Sequence, residues 1–214
     1  WEKDMIGFYN YTVILTYLSL ISALFGTHLA FKGNFSGALI CLLLSGAFDS
    51  FDGMVARTKK DRTEEEKKFG IQIDSLADMF SFGIFPAIIG YTMMDSIVCG
   101  VTWLWFFIFA LYALCAISRL GYFNVVEEMR QKETTEKRKY YQGLPVTSAA
   151  LIFPAIYLLR HVLTAELTYS IYAWVMFVVA WAFIINFQVR KPGLKGILVM
   201  LVIGILICTG LLML

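Results

Sequence analysis

The sequence predicts an all-α fold, a polytopic transmembrane helical bundle with six core spanning helices and at least one further C-terminal span. Hydrophobic residues make up 59% of the 214 residues and charged residues only 16%, with a mean hydropathy of +0.70. A soluble domain has a clearly smaller apolar share. The charges also collect between apolar stretches of about 20 residues, each long enough to cross a hydrocarbon core ~30 Å thick.

Seven apolar stretches are predicted to span the membrane. Six of them form a core over residues 12–187, and the seventh lies in a C-terminal extension, residues 188–214. Residues 1–11 place Trp1, Met5 and Phe8 at helical spacing. We expect them to form a short interfacial amphipathic helix, or else a frayed extension of the first span. The predicted spans are 12–31, 35–56, 70–94, 98–124, 144–163, 168–187 and 196–214.

The distribution of positive charge predicts the orientation of the bundle. When the N-terminus and the connections 57–69, 125–143 and 188–195 face the cytosol, 15 of the 18 Lys and Arg residues lie inside. This arrangement satisfies the positive-inside rule. The two longer connections also carry acidic residues, so they are predicted to be solvated hairpins. We therefore expect an integral protein of the cell membrane.

Four aspartates interrupt the apolar sequence on either side of the connection 57–69. Asp49 and Asp52 precede it, and Asp74 and Asp78 follow it. Helical positions three or four apart share a face, so each pair points one way. Each pair is therefore predicted to form half of one site.

The depth of these carboxylates indicates what they bind. If the cytosolic edges lie at Arg57 and Gly70, a rise of ~1.5 Å per residue places the carboxylates roughly 6 to 12 Å deep, at matching levels on the two helices. Carboxylates at that depth cost free energy singly and also repel one another. One bound divalent cation, or two, removes both costs. An all-oxygen ligand set favours Mg²⁺ or Mn²⁺.

Small residues and one cation surround the predicted metal site. Gly53 and Ala56 lie on or beside the face of the first aspartate pair, and Gly70 lies one turn before Asp74. Without large side chains, these positions let a flat or bulky ligand approach the backbone. Arg57 adds a fixed positive charge suited to phosphate.

These residues resemble a known family. D-x-x-D-G-x-x-A-R followed by G-x-x-x-D-x-x-x-D is the signature of the CDP-alcohol phosphotransferases, integral membrane enzymes of phospholipid synthesis, and this chain fills every fixed position. The resemblance implies that Gly53, Ala56, Arg57 and Gly70 bind the CDP-lipid. Twelve residues separate Arg57 from Gly70, more than the family usually has. We expect a longer cytosolic hairpin there, with the site intact.

A finer resemblance covers about residues 10–190. The runs FGIQIDSLADMFSFGIFPA, ISRLGYFN and YQGLPVTSAA occur in this order, as they do in the membrane-embedded phosphatidylserine synthase branch. The resemblance implies metal-dependent, direct attack of the L-serine hydroxyl on CDP-diacylglycerol, which yields phosphatidylserine and CMP. It also implies that Asp78, the deepest carboxylate of the third span, is the general base, and that the protein forms homodimers.

Three residues are candidates for binding the acceptor. Arg119 lies roughly 9 Å deep in the fourth span, and an intramembrane arginine is a functional candidate. It is predicted to bind a substrate phosphate or the serine carboxylate, with a structural pairing to an aspartate as the alternative. Asn124 lies at the edge of the same span. Ser81 lies one turn after Asp78, and its alternative role is a hydrogen bond back into its own helix.

Other functions remain possible at this stage. A sister enzyme that uses glycerol phosphate or inositol phosphate shares the whole metal motif. An intramembrane prenyltransferase also holds Mg²⁺-diphosphate on aspartate pairs, but its motifs lack the D-G-x-x-A-R continuation. A non-enzymatic Mg²⁺ transporter would place carboxylates along a pore instead of at one edge. No nucleic-acid partner is expected.

Overall fold

The computed structural model describes residues 7–56, 58–59, 61–97, 102–133, 140–190 and 193–214. They form a helical bundle with one small pair of strands. The helices are α1 (Ile14–Phe31), α2 (Phe35–Ala56), α3 (Glu64–Asp78), α4 (Phe85–Ile97), α5 (Trp103–Glu133), α6 (Ala149–Tyr157), α7 (Ala165–Ile184) and α8 (Leu194–Leu212). The strands are β1 (Tyr140–Gln142) and β2 (Gln188–Arg190), which pair antiparallel.

The described residues include six helical stretches that are long and apolar enough to cross a membrane. They are Tyr11–Phe31, Phe35–Ala56, Glu64–Ile97, Trp103–Arg130, Ala165–Ile184 and Lys195–Leu212. The predicted all-α transmembrane bundle is therefore confirmed.

The fifth predicted span, 144–163, is shorter than expected. Its apolar helix covers Val146–His161, contains Pro154, and begins and ends in 3-10 turns. Because a 3-10 turn rises ~2 Å per residue, the helix still extends roughly 27 Å, close to the thickness of the hydrocarbon core.

Small side chains let α1 and α2 pack closely. Ser19 and Ser45 each donate a hydroxyl hydrogen bond to the other's backbone carbonyl oxygen, at 3.2 and 2.7 Å. A Cβ atom on Gly26 would lie only 2.7 Å from the Cβ of Cys41. In a membrane, small residues and interhelical hydrogen bonds of this kind hold helices together. They fix α2, which carries the first aspartate pair, against α1.

A π-helix, Met79–Ile84, joins α3 to α4 within the third span. Pro86 has no N–H to donate to the carbonyl of Phe82, four residues earlier. The Tyr112 hydroxyl on α5 donates to that carbonyl instead, at 2.6 Å, and the Tyr172 hydroxyl on α7 donates to the carbonyl of Pro86 at 3.1 Å. Neighbouring helices thus satisfy the backbone at the proline. A proline within a span is a common cause of a kink, but the sequence did not indicate the π-helix, which begins directly after Asp78.

The third span begins six residues earlier than predicted. The α3 helix begins at Glu64, so the expectation that residues 64–69 belong to a loop is wrong. A capping box starts the helix. The Thr63 hydroxyl accepts from the Glu66 N–H at 3.2 Å, and the Glu66 carboxylate accepts from the Thr63 N–H at 3.1 Å. The T-x-x-E pattern that marks such a start is present in the sequence.

The fourth span also runs further than predicted. The α5 helix ends at Glu133, nine residues beyond Asn124, so residues 125–133 are not part of a loop. Arg130 bonds Glu127 at 2.6 Å, and Lys132 bonds Glu128 at 3.0 Å. Ion pairs three or four residues apart stabilise a solvated helical end. Residues 134–139, also part of the predicted hairpin, lie outside the described residues.

The predicted cytosolic connections contact one another in pairs, as expected if they lie at one end of the bundle. The β1–β2 pairing joins the connection after α5 to the connection after α7. Near the N-terminus, the hydroxyls of Tyr11 and Thr58 lie 3.1 Å apart, and the Asn10 amide lies 3.4 Å from a Glu66 carboxylate oxygen. The arrangement agrees with the predicted topology.

The predicted interfacial helix over residues 1–11 is only partly covered by the structure. Residues 1–6 lie outside the described residues. Residues 7–10 are not helical, and a short 3-10 helix begins at Tyr11. The Asn10 side chain caps it by accepting a hydrogen bond from the Thr12 N–H at 3.0 Å. An interfacial helix over residues 1–6 stays a prediction.

The glycine of the G-L-P run, residues 143–145, lies in a turn that requires it. Gly143 has a φ of +69°, and a Cβ atom there would lie 2.7 Å from the Phe183 carbonyl oxygen. Its N–H donates to the Phe187 carbonyl, and the Leu144 N–H donates to the Ala182 carbonyl. These bonds dock the start of the α6 segment onto the end of α7.

Candidate active site

Carboxylates from two helices meet near the end of the bundle where the predicted cytosolic connections lie. Carboxylate oxygens of Asp49 on α2 and of Asp74 and Asp78 on α3 all lie within 4.8 Å of one another. Asp52 lies within electrostatic range of both Asp49 and Asp74, and its residue surface is only 9% exposed. The structure therefore brings together the four aspartates that the sequence singled out.

The carboxylate group fits a divalent cation. Asp74 Oδ1 is buried and has no hydrogen-bond partner in the described part of the chain. A buried oxygen without a partner is costly, and so is the mutual repulsion of neighbouring carboxylates. A hard cation coordinated by oxygen ligands would relieve both costs.

Thr16 on α1 contacts this group, although the sequence did not single it out. Its hydroxyl donates to Asp52 Oδ2 at 3.1 Å, and both side chains are buried. A donor of this kind orients a carboxylate ligand from behind. A signal was available, because the buried residues of the first span, apart from Val13, recur at alternating spacings of four and three. They are Thr12, Thr16, Ser19, Ala23, Gly26 and Ala30.

The predicted space beside Gly70 is partly filled by a side chain that the sequence analysis missed. A Cβ atom on Gly70 would lie 2.5 Å from Arg62 Nη2. The same nitrogen donates to the Glu66 carbonyl at 3.1 Å, and Arg62 Nη1 lies 3.5 Å from the Ala56 carbonyl oxygen. Arg62 thus bridges the end of α2 and the start of α3. No local sequence pattern in a loop reveals such a contact.

The other predicted nucleotide-site residues lie at the cytosolic end of α2. Gly53 and Ala56 are half-buried in its last turn. Arg57 lies outside the described residues, so its predicted role as a phosphate-binding cation stays a prediction.

The α5 helix places Arg119 at the level of Asp78. It meets the third span at two points. Ala116 packs against Gly83, where an added Cβ atom would lie 3.2 Å from the Ala116 Cβ, and the Asn124 amide donates to the Ser75 hydroxyl at 2.7 Å. Arg119 lies between these points along α5 and is 8% exposed. Its guanidinium carbon lies 5.2 Å from the centroid of the Phe123 ring.

Ser81 and Asn124 differ in how their polar groups are used. Ser81 lies in the π-helix, is fully buried, and its hydroxyl has no hydrogen-bond partner among the described residues. The alternative of a bond back into its own helix is therefore not seen, and the hydroxyl is available for a ligand. Asn124 bonds Ser75, next to Asp74 in sequence, which favours a role in tying α5 to α3.

Comparisons with known proteins agree with the motifs. The model of the CDP-alcohol phosphatidyltransferase family matches residues 9–186. A CDP-diacylglycerol–serine O-phosphatidyltransferase of Saccharomyces cerevisiae is 37% identical over 121 residues, which cover 56% of this chain and 41% of the yeast protein. An archaetidylserine synthase of Methanothermobacter thermautotrophicus is 33% identical over 157 residues, which cover 73% of this chain and 61% of the archaeal protein.

A bacterial relative is more distant. A CDP-diacylglycerol–serine O-phosphatidyltransferase of Bacillus subtilis is 24% identical over 144 residues, which cover 64% of this chain and 70% of that protein. The chain thus spans about two fifths of the yeast relative and three fifths of the archaeal one.

Replacing Thr16 tests its contact with Asp52. In Thr16→Val the Asp52 carboxylate loses its buried donor, so we expect the Kd for Mn²⁺ to rise about tenfold, the lower end of the range for such supporting contacts. Calorimetric titration of the purified protein in detergent measures it. Thr27→Val is the matched control, because the Thr27 hydroxyl bonds the Ala23 carbonyl of its own helix, at 2.9 Å, away from the aspartates. Equal Kd values for the two variants would contradict the assignment.

Proposed function

Because the chain belongs to the CDP-alcohol phosphatidyltransferase family, we propose that it transfers a phosphatidyl group from CDP-diacylglycerol to the hydroxyl of L-serine, forming phosphatidylserine and CMP. The observation that carries the proposal is the meeting of the Asp49, Asp74 and Asp78 carboxylates within a membrane-spanning bundle. The names of the yeast and Bacillus subtilis relatives support serine as the acceptor.

The lipid part of the donor has two candidate chemistries. The relative that aligns with 73% of this chain is named an archaetidylserine synthase, whereas the yeast and bacterial relatives are named for diacylglycerol. A CDP-activated ether lipid is therefore the natural variant of the proposed donor. The reacting diphosphate is common to both.

Asp49, Asp52, Asp74 and Asp78 would hold one or two divalent ions, Mg²⁺ or Mn²⁺. Bound there, such an ion would neutralise the negative charge that grows on the donor diphosphate as its anhydride bond breaks. The proximity of the carboxylates and the unpartnered Asp74 Oδ1 support this assignment.

Asp78 is proposed as the general base. It is the deeper of the two site carboxylates on the third span, and it lies beside the π-helix that carries Ser81. The carboxylate accepts the proton of the serine hydroxyl while the serine oxygen bonds to the phosphatidyl phosphorus. The bond from that phosphorus to the CMP oxygen breaks, and CMP leaves with the electron pair. No covalent enzyme intermediate is needed.

The nucleotide is proposed to bind at the cytosolic ends of α2 and α3. Gly53, Ala56, Arg57 and Gly70 would contact the CDP group, as the family motif implies. Arg62 lies over Gly70, so its guanidinium either moves aside or contacts the diphosphate when the nucleotide binds. A guanidinium is well suited to the second role.

The acceptor is proposed to bind between the third span and α5. Arg119 supplies a buried cation at the level of Asp78, suited to a carboxylate. The hydroxyl of Ser81, which has no partner among the described residues, would be available to bind serine near that level. Asn124 would border the acceptor region, where its side chain bonds Ser75.

The proposed setting is the cell membrane, with the site open to the cytosol. The positively charged connections and the aspartates lie toward the same end of the bundle, which supports this orientation. Serine and CMP exchange with the cytosol, and the two lipids exchange with the bilayer. We expect a homodimer, as in the family.

A different acceptor is the one alternative that an observation favours. The guanidinium of Arg119 can bind a phosphate as well as a carboxylate, so glycerol phosphate or inositol phosphate would suit the same location. The metal site and the donor would be unchanged.

The acceptor can be identified from CMP release. Purified protein in detergent, supplied with CDP-diacylglycerol and Mn²⁺ or Mg²⁺, is offered L-serine, glycerol 3-phosphate or inositol phosphate. We expect release with L-serine alone. Release only with a phosphorylated acceptor would overturn the substrate assignment but keep the metal site, and no release with any acceptor would contradict the proposed reaction.

Replacing Asp78 tests its role as the base. In Asp78→Asn we expect turnover to fall at least about 100-fold, because a proton acceptor contributes 10² to 10⁴, while CDP-diacylglycerol binding largely persists on the three remaining carboxylates. Single-turnover kinetics and equilibrium binding separate the two effects. Asp95→Asn, at the far end of the same span and exposed, is the matched control. Near-normal turnover of Asp78→Asn would remove Asp78 from this role.

A further inference from the structure

An apolar groove of about 200 Å³ lies between α2, α6 and α8. Its walls are aliphatic side chains, glycines, one methionine and the thiol of Cys208, and its hydroxyl groups are those of Ser50 and Thr147. Gly204 lines the groove from α8, and a Cβ atom there would make only ordinary contacts, at 3.8 Å from Leu151 and 3.9 Å from Leu43. The absence of a side chain at Gly204 therefore keeps the groove open.

The groove starts at the level of the carboxylate group and leads away from the cytosolic end. On α2 it extends from Ser50, which directly follows Asp49, to Ile40. On α8 it extends from Ile197 to Cys208. Ten or eleven helical residues correspond to about 15 Å along the membrane normal. The groove thus extends from the level of the candidate metal site toward the hydrocarbon interior.

The surroundings of α8 indicate a lipid occupant. This helix exposes large aliphatic side chains along its length, among them Leu198, Val202 and Leu206, so its outer face borders the bilayer. An empty aliphatic groove would lose dispersion contacts on one side. In a membrane, the groups that can restore them are hydrocarbon chains.

We propose that this groove holds one hydrocarbon chain of the CDP-activated donor lipid. The inference rests on the proposed function, because a donor whose diphosphate binds at Asp49 has its glycerol and chains just below that level, beside Ser50. One chain then enters between α2 and α8, while the second stays in the bilayer. The α8 helix, outside the six-span core, thereby becomes part of the donor site.

Photolabelling tests the location of the chain. A CDP-diacylglycerol with a diazirine on one acyl chain is irradiated with the detergent-purified, metal-loaded protein, and the labelled peptides are mapped by mass spectrometry. We expect label on the α8 peptide that contains Gly204 and Cys208, and a loss of at least about threefold with excess unlabelled CDP-diacylglycerol. Phosphatidylcholine with the same diazirine chain serves as the bulk-lipid control.

Variants of α8 make the test specific. Gly204→Phe fills the groove, so we expect at least about a threefold loss of α8 labelling and a severalfold higher KM for long-chain donor than for a dioctanoyl donor. Gly204→Leu is a milder substitution that repeats the test if the phenylalanine variant does not fold. Val202→Phe is the matched control, because Val202 is 57% exposed on the lipid face, and it should behave as wild type.

The outcomes separate this inference from the proposed function. Competed labelling on other helices, or an unchanged chain-length dependence in both Gly204 variants, would overturn the groove assignment and leave the transferase proposal intact. Equal, uncompeted labelling of α8 by the phosphatidylcholine probe would show bulk lipid in the groove and likewise overturn it. If excess unlabelled CDP-diacylglycerol reduces the labelling of no peptide, the protein does not bind this donor specifically. The proposed function then fails.

Discussion

Carboxylates that lie within the thickness of a bilayer lose hydration and repel one another, and here four of them come from two neighbouring helices. The oxygens of Asp49, Asp74 and Asp78 lie within 4.8 Å, too close for ionised groups in a medium of low dielectric without a cation. A bound divalent ion would turn this repulsion into attraction between α2 and α3. The same charge would bind the diphosphate of the proposed donor, so a single interaction would both stabilise the bundle and support the proposed chemistry.

The rest of the bundle holds these helices in place. Small residues bring α1 against α2, and from that position Thr16 orients Asp52. Tyr112 and Tyr172 satisfy the backbone around Pro86, which allows the π-helix to follow Asp78. π-helical turns occur often at functional sites. Here the π-helix holds the buried Ser81 hydroxyl, which has no partner in the part of the chain that the structure describes, one turn after Asp78.

Much of this arrangement followed from the sequence, because membrane spans and intramembrane charges give strong local signals. The helical spacing of the four aspartates sufficed to predict that they converge. The sequence analysis missed the start of α3 at Glu64, although the T-x-x-E capping pattern indicates a helix start there. Arg62 could not have been predicted, because its contact with Gly70 depends on how a loop folds in three dimensions. The π-helix depends on hydroxyls from two distant helices, and no window around Pro86 contains them.

The unfolding temperature of the purified protein, with EDTA or with excess Mn²⁺, most directly tests the claim that a divalent ion holds the aspartates together. At a hundredfold excess over the Kd, binding stabilises the folded state by about 2.7 kcal/mol, or roughly 5 to 10 °C for a chain of this size. We expect such a rise in the wild type and none in an Asp49→Asn, Asp78→Asn double variant. An equal rise in both proteins, or no rise in the wild type, would contradict the account.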